Sequence, residues 1–249
     1  MTSITFLGTA SAVPNKNHQN THFIVEAGEN LLLIDCVGNP IVRLEQAAID
    51  PLAITDLILT HFHPDHVSGV PLLLLDLWLM GRKDPLPIYG LDDVIDRFEQ
   101  LMALFRWEEW GDFFPVELHR IPASDLNPLI ERDDLQVFGS LVRHAIPAMG
   151  IRVKTPEGTF CYSTDTKPCE AVVRLAEGAD LLIHEATGEG DGHSLPAQAG
   201  AIAHKAGVKR LCLIHYDPDA EIKTLIEEAQ SAFDGEVFAA KDLLRIDLN

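Results

Sequence analysis

The heptapeptide Thr60-His61-Phe62-His63-Pro64-Asp65-His66 decides how this chain is read. Side chains alternate along an extended segment, so His61 and His63 project to one side and can grip one ion together. Pro64 favours a turn that re-aims Asp65 and His66, and one short loop can then serve two adjacent metal ions. Imidazole nitrogen and carboxylate oxygen suit Zn first, and also Mn, Fe or Co, which fits a hydrolytic centre. Taken singly, each residue is ordinary loop polarity. The cluster points to metal because it closes an apolar strand and precedes a Leu-rich helix.

Working outward, apolar runs alternate with helical stretches. Strands are expected at Ile4–Leu7, His22–Val25, Asn30–Asp35, Asp56–Thr60, Leu86–Tyr89, Leu135–Val142, Thr159–Ser163, Leu181–Ile183, Leu211–Ile214 and Glu236–Phe238. Helices are expected at Val67–Met80, Asp92–Phe105, Lys167–Ala176, Pro196–Ala206 and Ala220–Ala232. This is an α/β pattern, one domain over 1–249, with sheets covered by helices. His61, His144, Asp165 and His215 each follow a different predicted strand, and ligands in α/β folds bind at that carboxyl edge. His193 directly precedes Ser194, a good N-cap, and Pro196 lies in the first turn that follows, which reads as a helix N-terminus with exposed N–H groups that attract anions.

Composition narrows the function classes. The longest apolar stretch, Val70 to Met80, is interrupted by Asp76 and is too short for a bilayer, so no membrane span is expected. Its apolar residues cover more than one core-facing stripe, which predicts a subunit interface and a homodimer. The start lacks a secretory leader pattern, and four scattered cysteines without a C-x-x-C pair read as reduced core thiols, both pointing to the cytoplasm. A formal charge of −19 argues against non-specific nucleic-acid binding.

The loop resembles the His-x-His-x-Asp-His signature of the metallo-β-lactamase superfamily, and the chain is similar to its ribonuclease Z branch. Ile4-Thr5-Phe6-Leu7-Gly8-Thr9 resembles that branch's opening strand, and Leu31–Cys36 its second metal-adjacent strand. Tyr162-Ser163-Thr164-Asp165-Thr166 resembles Tyr-Ser-Gly-Asp-Thr, and His184-Glu185-Ala186-Thr187 matches His-Glu-Ala-Thr. His193-Ser194-Leu195 is similar to His-Ser-Thr, and Ile214-His215-Tyr216 to the final ligand segment. The resemblance implies a four-layer αβ/βα sandwich. It implies that His61, His63 and His144 hold one divalent ion, that Asp65, His66 and His215 hold a second, and that Asp165 bridges them. Such a pair activates a shared water, with Asp65 beside it. His193 would contact a phosphate oxygen and protonate the leaving oxygen, with Glu185 orienting it, and Asp35 would buttress a ligand loop.

Ribonuclease Z enzymes carry a long arm between the third-site histidine and the bridging aspartate. Only Ala145 to Thr164 fill that interval here, enough for a turn and one short hairpin. With the acidic charge, this disfavours RNA and shifts the expectation to a small anionic substrate, a small or cyclic phosphodiester. The alternatives are a ribonuclease Z-type RNA endonuclease and a lactonase or ester hydrolase on the same metals.

Overall fold

A computed structural model describes residues 1–248. One sheet contains β1 (Thr2–Gly8), β2 (His22–Ala27), β3 (Asn30–Ile34), β4 (Asp56–Ile58), β5 (Leu86–Leu91), β6 (Val116–Ile121) and β14 (Arg245–Leu248), in the order β14-β1-β2-β3-β4-β5-β6. The other contains β7 (Asn127–Glu131), β8 (Gln136–Leu141), β9 (Met149–Thr155), β10 (Gly158–Tyr162), β11 (Leu181–Glu185), β12 (Arg210–Ile214) and β13 (Glu236–Ala239), in the order β13-β12-β11-β10-β9-β8-β7. Each sheet is antiparallel on one side and parallel on the other. Strands β3 to β6 and β10 to β13 are the parallel sets.

Among the described residues, seven α-helices accompany them: α1 (Pro40–Gln46), α2 (Pro64–Val67), α3 (Val70–Leu79), α4 (Asp92–Leu104), α5 (Glu170–Ala176), α6 (Pro196–Ala206) and α7 (Ile222–Gln230). Helix α4 packs on β5 and β6, α5 on β8, β9 and β10, and α6 on β11 and β12. The result is the expected αβ/βα sandwich of two mixed sheets flanked by helices. Its cause is visible in the central parallel strands, which are apolar on both faces. On β10 to β12, Phe160, Tyr162, Leu181, Ile183, Cys212 and Ile214 fill the core between the sheets. The alternating Cys161, Leu182, Leu211 and Leu213 meet the helices instead. A period of two that is apolar on both phases is what a strand covered on both faces requires. Phe23 of β2 and Tyr162 of β10 meet edge to face across the gap, with ring centroids 5.0 Å apart.

Several local expectations change. The predicted helix Val67–Met80 is two helices, because the Gly69 N–H donates to the Cys36 carbonyl (2.9 Å) and leaves the helical ladder. A Cβ on Gly69 would lie 2.7 Å from the Val37 carbonyl carbon, so only glycine lets the two backbones approach this closely. Helix α5 starts at Glu170 rather than Lys167, and α7 at Ile222 rather than Ala220. Strands β6, β7, β9 and β14 and helix α1 were not among the predicted elements, although β9 is one arm of the hairpin expected between Ala145 and Thr164. The Ala145–Thr164 interval holds only the β9–β10 hairpin, in which Thr155 pairs with Gly158. The surplus apolar face of α3 is present, with Leu72 and Leu79 exposed. Among the described residues, no helix is long and apolar enough to cross a membrane.

Candidate metal centre

The parallel strands deliver the site. His61 follows β4, Asp165 follows β10, Glu185 ends β11 and His215 follows β12. Three non-glycine residues at these strand exits, Asp35, Thr164 and His215, have left-handed backbones with φ of 57°, 52° and 53°. Such conformations are strained for residues with a Cβ and mark places where the surrounding structure holds the chain against its preference.

Two sets of donor atoms converge, and a third, Asp165, His193 and His215, overlaps both. His61, His63, His144 and Asp165 form one, and Asp65, His66 and His215 the other, with all donors in each set within 4.8 Å of one another. Asp165 Oδ2 lies 3.8 Å from His61 Nε2 and 3.6 Å from His66 Nε2, so its carboxylate reaches both sets. Asp65 Oδ2 is 3.6 Å from His215 Nε2 and 3.8 Å from His66 Nε2. His184 belongs to neither set. It is buried, and its Nδ1 is 2.7 Å from the Glu185 carbonyl, a structural role.

The second layer of contacts fixes which nitrogen each histidine presents. Asp35 accepts from the Thr60 N–H, the Thr60 hydroxyl and His66 Nδ1, each at 2.8 Å. Because the Thr60 hydroxyl proton goes to Asp35, its oxygen accepts from His61 Nδ1 at 3.1 Å. The Thr187 hydroxyl donates to the His215 carbonyl and accepts from His215 Nδ1, both at 2.8 Å. The Gly192 carbonyl accepts from His144 Nδ1 at 2.8 Å. Nδ1 therefore carries the proton in all four rings, and the Nε2 lone pairs turn inward. His63 is the exception, for its Nδ1 faces His144 Nε2 at 3.1 Å.

Inside the cluster, His61 Nε2, His66 Nε2, His215 Nε2 and Asp165 Oδ1 are buried with no hydrogen-bond partner among the described residues. Buried polar atoms are rarely left so, and several lone pairs aimed at one volume are what a cation requires. Burial, reinforced by His66, holds the His61 imidazole well below its usual range. Burial and His144 lower the His63 imidazole as well. Burial alone would lower His66 too, but Asp165 and Asp35 carry it well above the usual value. Burial pushes the Asp165 carboxyl up, yet His215 and His66 bring it well below the usual range. A proton on His66 and a cation beside it are thus alternative partners for the same carboxylate.

His193 stands at the rim, about one fifth exposed, with Nδ1 3.2 Å from Glu185 Oε1 and 4.0 Å from Asp165 Oδ2. Its pKa is raised, chiefly by the Glu185 hydrogen bond, against the pull of burial. Glu185 is fully buried and also accepts from the Thr166, Ser194 and Thr187 N–H groups at 3.1, 3.0 and 2.9 Å. Ser194 is not the N-cap expected of it. Its hydroxyl donates to the Thr166 carbonyl, and Leu195 caps α6 with its N–H donating to Gln198 Oε1. Two contributors, the Thr187 hydroxyl and the Gly192 carbonyl, had no assigned role from sequence. The first lay inside the quoted His-Glu-Ala-Thr segment, whereas a backbone carbonyl leaves no compositional signal.

Comparisons with known proteins identify the family. The model of the beta-lactamase superfamily domain matches residues 30–216. The chain belongs to that superfamily, in its ribonuclease Z-like branch. It is 30% identical to the ribonuclease Z of Methanothermobacter thermautotrophicus over 307 aligned positions, covering 100% of this chain and 97% of the relative. That alignment is longer than the 249-residue chain, so the relative has segments that this chain lacks. Among solved structures, the metallo-beta-lactamase fold protein YhfI from Bacillus subtilis superimposes with a TM-score of 0.85 at 24% identity over 98% of both chains. The short form of human tRNase Z does so with a TM-score of 0.82 at 25% identity over 99% of both.

Proposed function

We propose that this protein is a metal-dependent phosphodiesterase with RNA as its first substrate class. The convergence of inward-turned, partnerless Nε2 atoms on the Asp165 carboxylate carries the metal assignment. His61, His63 and His144 would hold one divalent ion, and Asp65, His66 and His215 a second. Asp165 would lie between the ions, for which zinc is the first choice. When bound, such ions polarise a phosphoryl oxygen and lower the pKa of water at neutral pH.

The chain's own residues do the rest. Asp35, Thr60, Thr187 and the Gly192 carbonyl lock the imidazoles in the tautomers and orientations described above. Asp65, part-exposed on the site wall, orients the attacking water. Glu185 keeps His193 protonated, so His193 binds a phosphate oxygen and hands its Nε2 proton to the departing oxygen. The expectation that RNA is disfavoured gives way here, because curated relatives that match over the whole chain are named ribonuclease Z. A small or cyclic diester is the second reading, favoured by the tight hairpin in the Ala145–Thr164 interval. The proposal includes a homodimer that covers Leu72 and Leu79.

The test is hydrolysis by zinc-loaded protein of a chromogenic diester, an RNA oligonucleotide, a cyclic nucleotide and a lactone, with Asp65→Ala as the blank. RNA and diester cleavage that a chelator abolishes is the expected result. Lactone hydrolysis without any diester cleavage, or activity untouched by His193→Ala, would overturn the reading.

A further inference from the structure

Two cations flank the metal centre that no step above uses. Arg143 immediately precedes His144, and Lys167 follows Asp165 by two residues. They are brought together by the backbone. The Arg143 N–H donates to Thr166 Oγ1 at 3.1 Å, and the Lys167 N–H donates to the Arg143 carbonyl at 2.8 Å. Arg143, His144, Ala145, Lys167, Asp191 and Gly192 line a recess of about 310 Å³. Lys167 also lines the neighbouring recess that contains His193. Lys167 is thus shared by the recess that holds His144 and the recess that holds His193.

An anion already sits there. Lys167 Nζ donates to Asp191 Oδ1, and the Asp191 carboxyl is held below its usual range by that hydrogen bond, with Arg143 and His144 adding to the effect. Asp191 is 90% exposed and lies between Gly190 and Gly192, the latter at φ +98°. An exposed ion pair of this kind is worth little, and its carboxylate can swing away without being desolvated. A phosphate carries more charge and more acceptor oxygens than a carboxylate, so it competes well for the same two cations.

We propose that Arg143 and Lys167 form an anion subsite that takes a second phosphate group of the substrate, next to the scissile one, and that Asp191 fills it until that phosphate arrives. The inference rests on the phosphodiester reading and sharpens it. A substrate with at least two phosphates gains the subsite, and a cyclic mononucleotide with one does not.

The experiment uses zinc-loaded wild-type protein and the variants Arg143→Ala, Lys167→Ala and Asp191→Asn. Calorimetry measures binding of pyrophosphate and of inorganic phosphate to each. In parallel, KM is measured for a chromogenic diester with and without an additional terminal phosphate. Either cation variant should reduce the preference for the two-phosphate species by about tenfold in both readouts, the loss expected for one charged hydrogen-bond partner. Asp191→Asn should raise that preference. Preferences unchanged in both cation variants would overturn the subsite, even with the diester cleaved normally. Preferences shifted as expected in a protein that cleaves no diester would sink the phosphodiester reading and leave the subsite standing.

Discussion

Replacing Glu185 by Gln separates the proton on His193 from the rest of the site. Glu185 Oε1 accepts from the Thr166 and Ser194 N–H groups and from His193, while Oε2 accepts from the Thr187 N–H. A glutamine oxygen can keep the first three donors, but its amide nitrogen then faces the Thr187 N–H, donor against donor. Leaving a buried donor unsatisfied costs about 1–3 kcal/mol, and three hydrogen bonds also lose their charge assistance, so a loss of about 3 kcal/mol is expected. The functional effect follows from sign. The hydrogen bond to Glu185 raises the His193 pKa, so the protonated donor persists to higher pH in the wild type. Activity of a general acid is lost as pH rises through its pKa. In Glu185→Gln the alkaline limb of the diester pH profile should therefore move to lower pH, with kcat down by about 10²-fold at neutral pH. Urea unfolding and kcat measured across the neutral range test both halves. An unmoved alkaline limb with an unchanged urea midpoint would refute the reasoning.

Two further outcomes concern stability. His22 is buried, and burial, with Arg43 adding to it, lowers its pKa from 6.5 to about 4. Between those values only the unfolded chain takes up the proton, so this residue makes stability fall as pH drops from 6.5 towards 4, by about 3 kcal/mol in all. His22→Gln should flatten that part of a urea-midpoint-versus-pH curve, and an identical slope in the variant would count against the assignment. Gly69→Ala places a methyl group against Val37 backbone atoms at 2.7–2.9 Å, where neither partner can yield cheaply. A loss of about 3 kcal/mol in urea unfolding, with weakened zinc uptake, is expected. Wild-type stability would show that the close approach is not a constraint.

Much of this site was legible because the residues that build it interrupt strong patterns. His61, Asp165 and His215 end apolar strands, where a polar side chain has no reason to sit unless the strand's carboxyl edge is in use. The central parallel strands were legible for the same reason, being apolar on both faces. Apart from the inner strand β9, which was foreseen only as half of a hairpin, what escaped was peripheral or tertiary. Strand β6, Val-Glu-Leu-His-Arg-Ile, and strand β14, Arg-Ile-Asp-Leu, lie at sheet edges and bury few side chains, so their apolar signal is weak. The break after Val67 comes from a hydrogen bond to Cys36, far away in sequence. Ser194 fails as a cap because the Thr166 carbonyl claims its hydroxyl first. Local propensity supplies the candidates, and partners contributed by distant segments choose among them.

The donor sets draw on both sheets. His61, His63, Asp65 and His66 leave β4 of one, whereas His144, Asp165 and His215 belong to strand exits of the other. Neither half supplies a complete donor set, so an ion held here would act as a rivet between the two stacked layers. Zinc uptake then reports that the halves have docked, and withdrawing the ion should loosen their seam before it melts either sheet.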